Sequence, residues 1–258
     1  MLRLENISKS YAGIPLFSSL SFSLHKGERC AFVGRNGSGK TTLLKIFMGK
    51  ETPDTGTVSV PKGYKIGFLE QHLAFSEPTV LAEALKGPIV KPPHEVESIL
   101  FGLGFDANLL EKNPKDLSGG YHLRLKLAKV LAEEPQCLLL DEPTNYLDIL
   151  GYRWLKTYLT KWKGEIICIS HDRGFLDAIA THTVGLHRQS LYKFPGDTEH
   201  FYEKIVEQER LHEKTRQNLE KKRKHLTDYI ERFGVKASKA SQAQSKAKAL
   251  EKIPAIAE

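Results

Sequence analysis

Apolar and polar positions alternate from Leu2 to Ile7 and again through Leu20-Ser21-Phe22-Ser23-Leu24. That two-residue period belongs to strands with one wet face and predicts antiparallel pairing. A second pattern follows, because Cys30-Ala31-Phe32-Val33, Leu138-Leu139-Leu140 and Ile166-Ile167-Cys168-Ile169 are apolar without a break. Such runs suit strands buried on both faces. Between them, Lys40 to Met48, Tyr121 to Glu133 and Leu150 to Trp162 read as helices. Alternating strands and helices predict an α/β fold with a parallel sheet covered on both sides. Gly87-Pro88, Pro92-Pro93 and Pro114 break the middle into short pieces, which predicts a small helical subdomain over about residues 72–130.

From about residue 199 the pattern changes. Gly and Pro vanish until Gly234, and Leu219, Leu226, Ile230 and Phe233 recur at near-heptad spacing. Beyond Gly234 a narrower seam of Ala240, Ala243, Ala247 and Leu250 follows, and Pro254 closes it. These seams predict two helices packed as an antiparallel hairpin, the first about 33 residues and roughly 50 Å long. The predicted organisation is therefore a domain over 1–198 and a hairpin over 199–258. Charge follows the same division: of a net +7, the stretch Glu203 to Lys252 holds 14 Lys and Arg against 8 Asp and Glu. A near-neutral domain thus precedes a basic segment. No run approaches 18 apolar residues, the start has no apolar secretory region, and the three cysteines fit neither a zinc pattern nor a disulfide framework. These features predict a cytoplasmic protein without a membrane domain and with reduced core thiols.

The chemistry lies in four short strings. Gly34-Arg35-Asn36-Gly37-Ser38-Gly39-Lys40-Thr41-Thr42 follows a buried strand and opens a helix. Its glycines turn successive N–H groups toward phosphate oxygens, on which the positive end of the helix also bears. Lys40 reaches the β- and γ-phosphates, the Thr41 hydroxyl suits Mg2+, and Thr42 adds a hydroxyl for phosphate. Asp141 and Glu142 end an apolar strand, at the sheet edge where ligands of open α/β folds bind. Asp141 is the metal carboxylate expected there, and Glu142 the group that polarises an attacking water. His171 ends another apolar strand on the same rim and is placed to sense the γ-phosphate. Gln71, after the strand-like Ile66 to Leu69, offers an amide oxygen to the metal. Leu117-Ser118-Gly119-Gly120 precedes the helix from Tyr121, so Ser118 caps a second anion-binding turn. One nucleotide needs one phosphate loop, and the second turn is therefore expected to serve a nucleotide held by another copy of the domain.

Taken together, residues 1–200 resemble an ATP-binding cassette: a P-loop NTPase core with an antiparallel β subdomain and a helical subdomain. The resemblance identifies Gly34 to Thr42 with the Walker A motif, Gln71 with the Q-loop and Leu117 to Tyr121 with the signature. Leu138 to Glu142 match the Walker B strand, Asn145 to Asp148 the D-loop and His171 the switch histidine. It implies ATP and Mg2+ as cofactors, adenine stacked on Tyr11, and Tyr121 at a signature position where the family commonly has Gln. Asp141-Glu142-Pro143-Thr144-Asn145-Tyr146-Leu147-Asp148 and Ser170-His171-Asp172-Arg173-Gly174-Phe175-Leu176-Asp177 resemble the ABC-F group. So do Glu231-Arg232-Phe233, Lys236-Ala237-Ser238-Lys239-Ala240 and Gln242-Ala243-Gln244-Ser245-Lys246, which resemble the linker between that group's two cassettes.

That group carries no transmembrane domains, and many members act on the ribosome, the linker reaching toward the peptidyl site and its tRNA. The implied function is ATP hydrolysis coupled to ribosome binding, with tRNA or rRNA met by Lys221, Lys222, Arg223, Lys224, Arg232, Lys236 and Lys239. A second cassette completes each nucleotide site and follows the linker in full-length members. This sequence stops at Glu258, so the partner is expected from a missing C-terminal half or a second copy. The 47 residues from Gln71 to Ser118 leave no room for the long arm that some members insert there. The alternative is the ATPase subunit of a membrane transporter, which gives no reason for a basic hairpin. A DNA-maintenance protein would place its coil between phosphate loop and signature, and a non-catalytic scaffold would not need Glu142.

Overall fold

The computed structural model describes residues 2–69, 75–233, 245–246 and 248–250. Gln71, Gly234, Lys236, Lys239 and most of the second hairpin helix lie outside the described residues, as does the Arg232 side chain. The chain divides into two units, Met1–Phe201 and Tyr202–Glu258.

In the first unit, strands β1 (Leu2–Tyr11) and β2 (Ile14–Leu24) form an antiparallel pair, which β4 (Thr55–Ser59) extends beyond β1. The second sheet contains β3 (Arg29–Val33), β5 (Ile66–Phe68), β6 (Cys137–Asp141), β7 (Glu165–Ile169), β8 (His182–His187) and β9 (Ser190–Pro195). Its order is β5-β6-β7-β3-β8-β9, parallel except for the edge strand β9. The three apolar runs are thus adjacent central strands, β6, β7 and β3.

Helix α1 (Lys40–Phe47) lies between the two sheets. Its Leu43, Leu44, Ile46 and Phe47 join Phe17 and Phe22 of β2 and Phe32 of β3 in one core. Phe22 meets Phe47 edge-on at 5.6 Å. Each such fully buried side chain contributes about 1.5–3 kcal/mol, so the core fixes α1 firmly and with it the loop that enters it. The helical part comprises α2 (Val80–Ala84), α3 (Pro93–Gly102), α4 (Ala107–Leu110) and α5 (Gly119–Ala132). Helices α6 (Ile149–Thr160) and α7 (Arg173–Ile179) flank β7 in sequence. This is the α/β cassette fold expected from the sequence.

The last helix, α8, runs over Thr198–Phe233, 36 residues and so roughly 54 Å at 1.5 Å per residue. Along its second-unit stretch Leu226 is buried, while Lys221, Lys222, Arg223 and Lys224 are all exposed.

Candidate nucleotide site

The loop from Gly34 to Gly39 leaves β3 and enters α1, and its shape is set by glycines. Gly34, Gly37 and Gly39 have φ of 147°, 77° and 98°, values that side-chain-bearing residues adopt only under strain. Gly39 also caps α1, and a Cβ there would come within 2.8 Å of Leu16 Cδ2. The loop is therefore pressed against the β2 strand of the antiparallel subdomain. Lys40 donates to the carbonyls of Gly34 and Arg35 at 2.8 and 2.9 Å, folding its ammonium over the loop. Burial lowers its pKa, against the opposing pull of Asp141 and Glu142.

Asp141 ends β6, and the Thr41 hydroxyl donates to its Oδ2 at 3.0 Å. Glu142 follows with φ 51°, and its N–H donates to Ile169 O at 2.9 Å. This left-handed step separates its carboxylate from that of Asp141 and directs it to the end of β7. There it accepts from Ser170 Oγ at 3.3 Å and from the His171 N–H at 3.4 Å, and the His171 imidazole stands 3.6 Å from Oε1. The structure thus brings Lys40, Thr41, Asp141, Glu142 and His171 to one edge of one sheet. Thr41, Asp141 and Glu142 also line a cleft of about 600 Å3, together with Phe68 and Leu69.

These residues offer partners to both ATP and Mg2+. Ser38 Oγ is buried in the loop without a hydrogen-bond partner among the described residues, the kind of orphaned polar atom that a phosphate oxygen satisfies. The Thr41 hydroxyl and Asp141 carboxylate form a pair of hard oxygen donors suited to Mg2+. The residues present fit both groups.

Tyr11 ends β1 and is about half exposed, with Lys9 Nζ 5.3 Å from its ring centroid. Ser118 occupies the N-cap of α5, but its hydroxyl makes no capping bond; it and Gly119 face solvent. The turn is open rather than packed inward. Tyr121 also packs locally: its hydroxyl donates to Gly104 O at 3.4 Å and its ring meets Phe105 edge-on at 5.1 Å.

Sequence reasoning missed Arg124. Its guanidinium donates to Tyr146 O at 2.7 and 3.0 Å, to Leu103 O at 3.1 Å and to Asp148 Oδ2 at 2.9 Å. Asp148 in turn caps α6, accepting from Leu150 N and Gly151 N. Hydrogen bonds from the Gly151 and Leu150 N–H groups, with Arg124 alongside, lower the Asp148 pKa. Arg124 therefore bolts the helix behind Ser118 to the turn that follows Glu142. Arginine at helical spacing carried no signal of this, because its acceptors come from two distant loops.

A family model described as ABC transporter matches residues 17–145, and a second with the same description matches residues 184–258. ATP-binding cassette sub-family F member 3 of Homo sapiens is 34% identical over 300 aligned positions, covering 99% of this chain and 41% of that protein. The ABC transporter ATP-binding protein YfmM of Bacillus subtilis (strain 168) is 30% identical, covering 99% of this chain and 58% of that one. The chain thus spans about half the length of the curated relatives it matches. Among solved structures, the ATP-binding subunit of an ABC transporter superposes with a TM-score of 0.66 at 21% identity, covering 80% of this chain and 93% of its own. A dimeric bacterial ABC transporter cassette gives 0.63 at 22%, covering 76% and 98%. These last likenesses are of fold.

Proposed function

This chain belongs to the ATP-binding cassette family, in its F branch, and from that premise we propose that it is a Mg2+-dependent ATPase module acting in the cytoplasm on the ribosome. The family's cassettes bind ATP with Mg2+ and hydrolyse it, and they dimerise. In the proposed mechanism Gly34 to Gly39, Asn36 included, cradle the phosphates, Lys40 neutralises them, and Ser38 and Thr42 add hydroxyl contacts. Thr41, Asp141 and Gln71 hold Mg2+, which when bound screens the phosphate charge. Glu142 orients and polarises the water for in-line attack, and His171, 3.6 Å away, steadies the group under attack. Tyr11 stacks on adenine. Ser118, Gly119, Gly120 and Tyr121 serve the nucleotide of a second cassette, supplied by a C-terminal half or another copy.

The observation that carries the translation reading is the exposed run Lys221 to Lys224 on a 36-residue helix directly after the cassette. Four consecutive cations on one helix suit a phosphate backbone, and tRNA or rRNA is the partner they fit. Among the described residues no helix is long and apolar enough to cross a membrane.

The test is cosedimentation with 70S or 80S ribosomes using Glu142→Gln and ATP. Stable binding that is lost when Lys221, Lys222, Arg223 and Lys224 are changed to Glu supports the reading. The likeness to transporter cassettes motivates a second reading, an ATPase subunit recruited by separate membrane proteins. Failure to cosediment, together with retention on a membrane fraction, would favour that one.

A further inference from the structure

The parallel strands have a second edge, and it carries a built pocket. Lys26 precedes β3, Tyr64 precedes β5, Gln136 precedes β6 and Glu165 opens β7. All four line a cavity of about 780 Å3 at the amino ends of the strands. The nucleotide residues stand at the carboxyl ends, roughly 15 Å away across five-residue strands.

The walls are aromatic. Trp154 and Tyr158, one turn apart on α6, and Trp162, just past its end, form a ladder, with centroids 4.9 Å apart for the first pair and 6.1 Å for the second. Trp154 is seated on Gly102 of α3, where a Cβ would lie 2.0 Å from the indole. The ladder is thereby anchored at one end, and Tyr158 and Trp162 open into the cavity at the other. Gly164 holds the last rung: a Cβ there would stand 2.7 Å from Trp162 Nε1 and 2.5 Å from Gln136 O. The Trp162 N–H is buried without an acceptor among the described residues. Tyr64 forms the opposite wall, its hydroxyl held by Glu165 at 2.9 Å.

The rim is cationic. Lys91 is paired with Glu95 and Glu134, and Glu165 is engaged by Tyr64. Lys26, Lys161 and Lys163 are exposed and make no ion pair with any described residue. Aromatic faces flanked by uncommitted lysines form the arrangement that takes unpaired bases and their phosphates, since every base has a face to stack and every linkage a charge. A protein partner would instead need acidic side chains matched to the lysines and would leave the aromatic faces without a planar guest.

We propose that this pocket binds an unpaired nucleotide of single-stranded RNA, the base against Trp162, which Tyr158 backs, and the flanking phosphates on Lys26, Lys161 and Lys163. The inference deepens the translation reading and rests on it for the identity of the RNA. It places an RNA contact on the cassette itself, at the edge opposite ATP.

The chain has two tryptophans, so Trp154→Phe leaves Trp162 as the sole indole reporter in the full chain. Titration with the RNA oligomer A10 should quench its emission saturably, while an A10·U10 duplex and free AMP at equal base concentration should not. Lys161→Glu with Lys163→Glu should weaken the quench at least tenfold and flatten its log–log salt dependence by about 1.4. Tyr158→Ala should weaken it by about fivefold or more. Binding of a fluorescent ATP analogue should be unchanged in the lysine variant, which shows that it is folded. Absence of any Trp162 response, insensitivity to the lysine changes, or equal quenching by AMP would overturn the proposal. Changing Lys221 to Lys224 to Glu should leave the quench intact. Failure of the wild type to bind ribosomes, with the quench retained, would then count against the translation reading and not against the pocket.

Discussion

The buried carboxylate of Glu83 offers the sharpest test of how the helical part is held together. Its side chain is 3% exposed, and it accepts from Ser76 N at 2.9 Å, from Glu77 N at 3.0 Å and from Lys129 Nζ of α5. It therefore ties the segment entering α2 to the helix that begins at Ser118. Burial alone would raise the Glu83 pKa, but the Lys129 bond and the two backbone N–H groups outweigh it and lower it. Glu83→Gln keeps an oxygen for the two N–H groups but turns an amide toward a lysine only 14% exposed. Breaking one side of a buried pair costs about 3–5 kcal/mol, and residual access of water to Lys129 sets the expectation near the lower figure. Glu83→Ala also leaves two N–H groups without acceptors, at about 1 kcal/mol or more each, so about 5 kcal/mol is expected. Glu83→Gln with Lys129→Met removes the stranded charge and should recover most of the loss, because apolar replacement of a buried pair is near neutral. Urea unfolding followed by circular dichroism measures all three, and at about 2–3 kcal/mol per molar a loss of 3 kcal/mol moves the midpoint by about 1 M. The sign with pH is fixed: a carboxylate whose folded pKa is depressed stabilises above its unfolded value, near 4.3, and loses that stability as pH falls through the folded value. The gap between wild type and Glu83→Gln should therefore close in acid. A Glu83→Gln cost under 1 kcal/mol at pH 7, or no recovery in the double variant, would refute the reasoning.

Arg124→Ala should cost about 2–3 kcal/mol in the same assay, since two backbone carbonyls lose charged donors and the half-exposed Asp148 loses its partner; Arg124→Lys should recover only part, because an ammonium cannot span acceptors in two loops. Gly39→Ala should weaken binding of an ATP analogue and cost about 1–3 kcal/mol, from the φ of 98° and the collision with Leu16. Leu16→Ala in that background should relieve only the collision, leaving the backbone strain measurable. All three thiols are buried, and burial pushes Cys30 and Cys137 up to about 12 and Cys168 well above its ordinary value. Their reaction with Ellman's reagent at pH 8 should be slow in the folded chain and complete at once in denaturant.

What was legible in the sequence follows from where the signal lay. Continuous apolar runs mark β3, β6 and β7 because both faces of those strands are buried, and the acids and histidine at their ends inherit a common rim from that alone. Strand β4 escaped notice because Thr55, Gly56, Thr57 and Ser59 are all exposed, only Val58 being half-covered. It is a strand by virtue of pairing with β1, which no local pattern records. Helix α7, seven residues long, and the β8–β9 hairpin, with histidines at both ends of β8, gave similarly weak periodicity. Glycines of the phosphate loop were readable because their constraint is local. Arg124 and Glu83 were not, since each looks like an ordinary helix-surface charge until the loops that cover it are in place.

The turn from Asp141 to Asp148 shows why such tertiary bolts matter for the proposed chemistry. Glu142 and Tyr146 both adopt positive φ, at 51° and 66°, each at a cost of about 1–3 kcal/mol that the surroundings must offset. Glu142 N to Ile169 O, Asn145 N to Glu142 O and Leu147 N to Thr144 O fix one side of the turn, and Arg124 grips the Tyr146 carbonyl from α5 on the other. The same eight residues therefore position the catalytic carboxylate proposed here and the backbone beside Gly120, where an added Cβ would lie 3.4 Å from Tyr146 Cβ. Tyr146, beside Gly120, and Ile149 and Leu150, which follow it in the chain, stand 72%, 63% and 72% exposed. Large apolar side chains left this open near the exposed Ser118–Gly119 turn suit a surface that another cassette covers. A partner pressing on Tyr146 would act on Glu142 through a strained, hydrogen-bonded turn, which would give the proposed pairing of cassettes a mechanical route to the carboxylate proposed to direct hydrolysis.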